Sequence, residues 1–253
     1  MASVKLYWLV LKMISLINKK SIGLLFPYEY ESTLLSFPRR WESISVLLLL
    51  FFGFCASAND NNISYKQDGL YRIVTDKHLI NDIPLKNKGD YQMIVEIPSG
   101  TRQKWEVNHK SGQIEWEFKD GKPREVKFLA YPGNYGFLPQ TLSGDNDPLD
   151  IIVLSEAVER GSVLSVKILG MLKLSDGGES DNKVIAITED SGFKKIDSLS
   201  EMLVKEPNVI PIIRQWFEGY KTPGKIVFLG YEEKKKTIEY IERAHKKWKS
   251  NQK

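Results

Sequence analysis

Two residue types that build many enzyme sites are scarce in this chain, which has 1 cysteine and 3 histidines among 253 residues. A single thiol, Cys55, excludes both a disulfide framework and a cysteine-based zinc site. His78, His109 and His245 lie far apart without ligand spacing, and each reads as a surface residue. Any metal must therefore be held by carboxylates. A strong excess of one charge is missing too. The 36 Lys and Arg against 32 Asp and Glu leave a formal +4 and a pI of about 8.9. That balance suits an anionic ligand without singling out nucleic acid. Internal repeats and low-complexity tracts are absent. With 42% hydrophobic residues the chain can still build a core.

A long apolar run is also lacking. Ile44 to Phe54, ISVLLLLFFGF, is too short to span a bilayer, which takes about 20 residues. It follows Arg39 and Arg40 and precedes Ala56-Ser57-Ala58, the pattern of a secretory signal with a small-residue cleavage site. Residues 1–58 are accordingly expected to be an extension with a signal peptide, and 59–253 one domain, exported without a stable membrane anchor after processing. A cytoplasmic location is the alternative. Phe54 stands where a lipoprotein signal needs a small residue before Cys55, which argues against lipid anchoring.

From about Asn59 the chain is polar until Tyr91, where strand-like pieces begin. Tyr91 to Ile97, Lys104 to Asn108 and Ile114 to Phe118 alternate and are rich in β-branched and aromatic residues, which predicts an antiparallel meander. Further strands are predicted at Ile151 to Leu154, Val163 to Leu174 and Val184 to Ile187. Short strands without alternating helices point to a closed or nearly closed barrel. Ser198-Leu199-Ser200-Glu201 is a capping-box pattern that opens a helix to about Phe217, interrupted near Pro207 and Pro211. A second helix is predicted from Glu232 to Lys249, with Ile238, Ile241 and Trp248 inward. The fold class is thus mainly β with flanking α.

Asp145-Asn146-Asp147-Pro148-Leu149-Asp150-Ile151 crowds three carboxylates into a loop that enters a strand. Like charges this close raise one another's pKa unless cations neutralise them, which points to hard divalent ions. An EF-hand loop would use Asp145, Asp147 and Glu156, but Leu149 and Asp150 occupy the positions that need a ligand and a glycine. Asp176-Gly177-Gly178-Glu179-Ser180-Asp181-Asn182-Lys183 is a second acidic loop between two predicted strands, able to face the first. Lys104, Arg124, Lys183, Tyr220, Lys221 and Lys225 add donors suited to phosphate. Two rival readings are an OB-type nucleic-acid binder and an exported calcium-binding protein without catalysis. The acid cluster opposes the first by repelling a phosphate backbone, and the failed EF-hand positions oppose the second.

From about Tyr91 to Tyr231 the order of these residues resembles the family I soluble inorganic pyrophosphatases. The most specific piece is Asp145 to Ile151, similar to the family signature D-x-D-P-x-D-hydrophobic. Around it stand Glu96 in VEIP, Lys104 and Glu106 in KWEV, Tyr131 and Tyr135 in YPGNYGF, and Tyr220-Lys221 in WFEGYK. The resemblance implies a five-stranded OB-like barrel with two C-terminal helices, and Mg²⁺-dependent hydrolysis of pyrophosphate. It also implies a homo-oligomer and no nucleic-acid partner. It assigns metal ligation to Asp145, Asp150, Asp176 and Asp181, and catalytic roles to Asp147 beside the attacking water, Tyr135 and Glu96. Phosphate contacts fall to Lys104, Arg124, Tyr135, Lys183, Tyr220 and Lys221.

Two departures stand out. Gly177 occupies a position where the family pattern has an acidic residue. The family's phosphate-binding arginine matches Arg124 only with a small gap, and Lys122 competes for the role. Arg124 is preferred because it precedes a strand-like run, Glu125 to Leu129, whereas Lys122 follows Asp120-Gly121 in an expected turn.

Overall fold

The computed structural model describes residues 63–252. The expected signal segment and Cys55 lie outside them. Among the described residues the fold is mainly β with three helices, and no helix is long and apolar enough to cross a membrane.

The predicted central strands are present: β4 (Asp90–Ile97), β10 (Leu149–Val153), β11 (Val163–Asp176) and β13 (Lys183–Ile187). Their near-continuous runs of Val, Ile and Leu reflect burial on both faces, as in Lys183–Ile187, where every residue is buried. A further strand, β9 (Asn134–Leu138), pairs β4 on one side and β10 on the other. The periodicity did not reveal it, because Gly136 interrupts the run. A Cβ at Gly136 would sit 1.9 Å from the Ile94 carbonyl oxygen, so close backbone approach requires the glycine. β13 pairs β10 in parallel and β11 antiparallel, and β11 also pairs β4. The pairings therefore run β4–β9–β10–β13–β11 and return to β4.

The expected meander forms only in part. β5 (Trp105–Val107) and β6 (Ile114–Trp116) pair each other, and β6 continues to β2 (Arg72–Thr75) and β1 (Tyr65–Asp68). β4 is already paired by β9 and β11, and at its start by β3 (Lys86–Asn87), which leaves no edge for β5. The stretch before Tyr91 also carries strands, contrary to expectation. A late strand, β14 (Ile226–Glu233), pairs β11 along its length, so Glu232 and Glu233 end a strand rather than open a helix.

Three helices replace the expected two: α1 (Leu199–Lys205), α2 (Val209–Gly219) and α3 (Lys234–Asn251). Ser198 caps α1 by accepting the Glu201 N–H at 3.1 Å, while Glu201 reaches back to the Asp197 N–H at 2.7 Å, one residue beyond the usual capping box. The break comes at Glu206, which lies before Pro207 and adopts φ −130°, ψ 67°. Pro211 falls in the first turn of α2, where backbone N–H groups have no intrahelical partner. Leu172, Leu199, Met202, Ile213 and Phe217 join helices and sheet in one core.

Candidate active site

The first acidic loop is shaped by its own side chains. Asn146 takes φ 72°, a left-handed conformation that asparagine tolerates, and the Asp147 N–H donates to Asp145 Oδ1 at 3.1 Å. Pro148 then leads into β10, whose pairing with β13 sets Ile151 opposite Val184. The same register places Asp150 beside Lys183. Lys183 Nζ donates to Asp150 Oδ2 and to Asp181 Oδ1, each at 2.5 Å, with only 3% of its side chain exposed. Burial opposes its charge, but the two carboxylates outweigh burial and hold the ammonium above its ordinary range. The Asp181 carboxyl is pushed up by burial and by Asp150, against the pull of Lys183 and Lys221.

The second acidic loop is a two-residue hairpin between β11 and β12 (Glu179–Ser180), with Gly177 at φ 61° and Gly178 at φ 98°. Two consecutive left-handed positions suit the Gly177-Gly178 turn. Asp176, at the end of β11, accepts from Lys221 Nζ at 2.5 Å and lies 3.7 Å from Lys225 Nζ. Burial would raise its carboxyl, but the two lysines hold it below the usual range. Its buried Oδ1 accepts no hydrogen bond among the described residues.

A third group lies around Glu96. β4 shifts register against β9 between Val95 and Ile97, so Glu96 is an extra residue in a bulge. The bulge turns its carboxylate to accept the Val107 N–H at 2.7 Å. Lys104 is buried and pairs with Glu106 Oε1 at 2.6 Å. Glu96, Lys104, Glu106, His109, Asp147 and Asp150 share the wall of a polar cavity of about 90 Å³. Tyr135 is buried between the lysines, with Lys104 Nζ 5.6 Å and Lys183 Nζ 5.9 Å from its ring centre. Burial, then Asp150 and Tyr131, push its phenol well above its ordinary range. Tyr220 caps α2 and stacks on Trp216 at 4.9 Å.

The structure corrects the reason for preferring Arg124. Residues 125–129 are not a strand, and Lys122 belongs to a two-residue strand, β8 (Lys122–Pro123), paired with β7 (Phe118–Lys119). Arg124 is instead fixed by Glu117, whose two carboxylate oxygens accept from its Nη1 at 2.7 and 2.6 Å, and it lies within electrostatic reach of Tyr220 and Glu106. Lys122 is exposed. Two cavity residues carried no assigned role in the sequence reading. Glu106 sits two residues from Lys104, the spacing that puts both on one face of a strand. His109, read as a surface residue, lies with Nε2 3.4 Å from Asp147 Oδ1.

The donor set fits a hard divalent cation, since every candidate ligand is a carboxylate oxygen. Among the described residues no three ligating side chains already surround one point, and Lys183 stands between Asp150 and Asp181. A second, apolar cavity of about 450 Å³ lies elsewhere, lined by Pro132, Leu154, Phe193, Ile212 and Ile213.

Burial pushes the Glu96 carboxyl up to about 8, against Lys104 and the Val107 N–H. Between its unfolded value of 4.5 and about 8, the folded state keeps a proton that the unfolded state releases. Stability should therefore fall as pH rises through that window, by at most about 1.4 kcal/mol per unit. Thermal melts from pH 5 to 8 should show a decline that Glu96→Gln flattens. An equally steep decline in the variant would contradict the assignment.

Among the described residues, a mainly β fold with three helices, interleaved carboxylates and buried lysines defines a candidate site for a multiply charged phosphate. The profile of the family described as inorganic pyrophosphatase matches residues 93–249, and the chain belongs to this family. It is 36% identical over 203 residues to the mitochondrial inorganic pyrophosphatase of Saccharomyces cerevisiae, covering 67% of this chain and 66% of that protein. It is 38% identical over 167 residues to inorganic pyrophosphatase 1 of Caenorhabditis elegans, covering 57% of this chain and 39% of that one. The chain thus spans less than two thirds of these relatives' length. The type I inorganic pyrophosphatase structure from Toxoplasma gondii superposes with a TM-score of 0.68 at 29% identity, covering 74% of this chain and 97% of that one.

Proposed function

We propose that the chain hydrolyses pyrophosphate to two phosphates at this cluster, using Mg²⁺ held by Asp145, Asp150, Asp176 and Asp181. The observation that carries the reading is the alternation of charge, Asp150–Lys183–Asp181 and Asp176–Lys221, within one connected site. Bound divalent ions supply charge neutralisation and acidify a water. Asp147 accepts the proton of the attacking water. Its carboxyl is already held above the usual range by desolvation and by Asp145, Asp150 and Glu106, against His109, which moves it toward a useful base. Lys104, Arg124, Lys183, Tyr135, Tyr220 and Lys221 bind and orient the phosphates and spread the charge that develops on them. Glu96 positions the segment that carries Lys104 through its hold on the Val107 N–H. Phosphate release from pyrophosphate should stop on chelation and return with excess Mg²⁺. Release indifferent to chelation would overturn the metal assignment.

The cyclic strand pairing supports a five-stranded barrel of OB type with the site at its mouth. The carboxylates there argue against nucleic acid as partner. Export through the 1–58 segment and a homo-oligomeric state are part of the same proposal. N-terminal sequencing from the native cell should find a mature start near Asn59, and an intact N-terminus in the cytoplasm would refute export. Light scattering reads the oligomeric state, and a monomer would remove that part.

Arg124, not Lys122, is proposed to contact phosphate, because Glu117 preorganises its planar fork while Lys122 is an exposed point charge. Arg124→Gln should lower kcat/KM by about a hundredfold or more. Lys122→Gln should change it by less than about threefold. The reverse ranking in steady-state kinetics would move the contact to Lys122.

A further inference from the structure

Arg160 lies in the turn before β11. Main-chain bonds set its place: the Gly161 N–H donates to the Val95 carbonyl at 2.7 Å, and the Val95 N–H donates to the Ser162 carbonyl at 2.9 Å. Arg160 is thereby held beside the β4 bulge. Its Nε donates to the Glu96 carbonyl at 2.7 Å. Glu96 is the residue that β4 leaves without a partner in the β9 register. The guanidinium lies 4.1 Å from the Trp105 ring centre, and its Nη2 donates to Gln103 Oε1 at 3.4 Å. Gln103 and Trp105 flank Lys104, and the Trp105 indole N–H donates to the same Gln103 oxygen at 3.3 Å.

We propose that Arg160 is a positioning residue for Glu96 and Lys104, capping the carbonyl of the bulged residue and fixing the segment that presents Lys104 to substrate. A planar fork suits this task, because one group must donate in its plane and stack on an indole with its face. The arrangement is costly to build. Burial lowers the guanidinium pKa to about 10, with desolvation as the cause. A charge desolvated only to pack on Trp105 would be a poor substitute for an apolar side chain. Capping the carbonyl of the bulged residue at the site supplies the compensating gain.

The proposal rests on Lys104 contacting phosphate, and full-length protein separates the two claims. Arg160→Gln should lower kcat/KM for pyrophosphate at least tenfold, yet add less than threefold in a Lys104→Gln background, because it acts through Lys104. Arg160→Lys keeps charge without the fork and should resemble Arg160→Gln, and it carries the test if the glutamine variant does not fold. Amide exchange at Val107, whose N–H is held by Glu96, should accelerate at least tenfold while that of Ile152 in β10 stays unchanged. A purely structural arginine would lower Tm and leave Val107 exchange and the turnover of folded protein unchanged, and that result overturns the proposal. Fully additive losses in the double variant overturn it too. If the wild type releases no phosphate, the reading of Lys104 falls, while Val107 exchange still decides whether Arg160 holds the bulge.

Discussion

Asp147→Asn is expected to leave a folded protein whose turnover has fallen by about a hundred- to ten-thousandfold, the range for loss of a positioned general base. The substitution is nearly isosteric, and the bonds that shape the loop survive it. The residue's own N–H still reaches Asp145 Oδ1, and its carbonyl still accepts the Ser143 N–H at 2.8 Å. What disappears is an oxygen able to take a proton. The side chain is 63% exposed, so little packing is at stake and Tm should hardly move. Paired measurements of kcat near neutral pH and of Tm separate chemistry from stability. Near-normal turnover would remove Asp147 from the mechanism, and a collapse of Tm would make it structural.

Replacing Lys183 by Met is expected to act on stability as strongly as on catalysis. Its side chain is 3% exposed, and its ammonium satisfies Asp150 and Asp181 together at 2.5 Å. Without it, two partly buried carboxylates face each other with no cation between them. Breaking a buried pair on one side costs about 3–5 kcal/mol. For a domain of this size that is a Tm loss on the order of 6–20 °C. The sign of the rescue follows from the same picture. Lowering the pH protonates one carboxylate and relieves the repulsion, and added Mg²⁺ does so by neutralising both. Melts without metal should show the full loss, and melts at millimolar Mg²⁺ a partial recovery. A loss below about 1 kcal/mol without metal would mean that water already satisfies the pair.

Why some of this was legible in the sequence and some was not follows from particular residues. Asp145 to Ile151 was readable because charge density in a loop is a local property, and β4, β10, β11 and β13 were readable because burial on both faces writes long runs of Val, Ile and Leu. β9 was hidden by Gly136, a residue dictated by the carbonyl of Ile94 in another strand. β14 was hidden because its acidic end, Glu232-Glu233, reads like the start of a helix, and only pairing with β11 decides otherwise. The wedge of Lys183 between two aspartates depends on the β10–β13 register, which no local pattern encodes. Glu106 was within reach of a sequence argument, through its two-residue spacing from Lys104. His109 was not, since its approach to Asp147 joins residues 38 positions apart. Arg124 was preferred for a strand that does not exist, and Glu117 supplies the physical reason instead.

We propose that this site recognises two linked phosphates at once. Lys104, Arg124, Lys183, Tyr220 and Lys221 offer more donors than one phosphate can use, and a phosphoric anhydride with two charged ends makes use of them. The most direct measurement is kcat/KM of the full chain with saturating Mg²⁺ for pyrophosphate beside p-nitrophenyl phosphate, a monoester. Preference for pyrophosphate by more than about a hundredfold is expected, the scale of losing one or more transition-state donors. Equal activity on both, or phosphate release from the monoester alone, would contradict it.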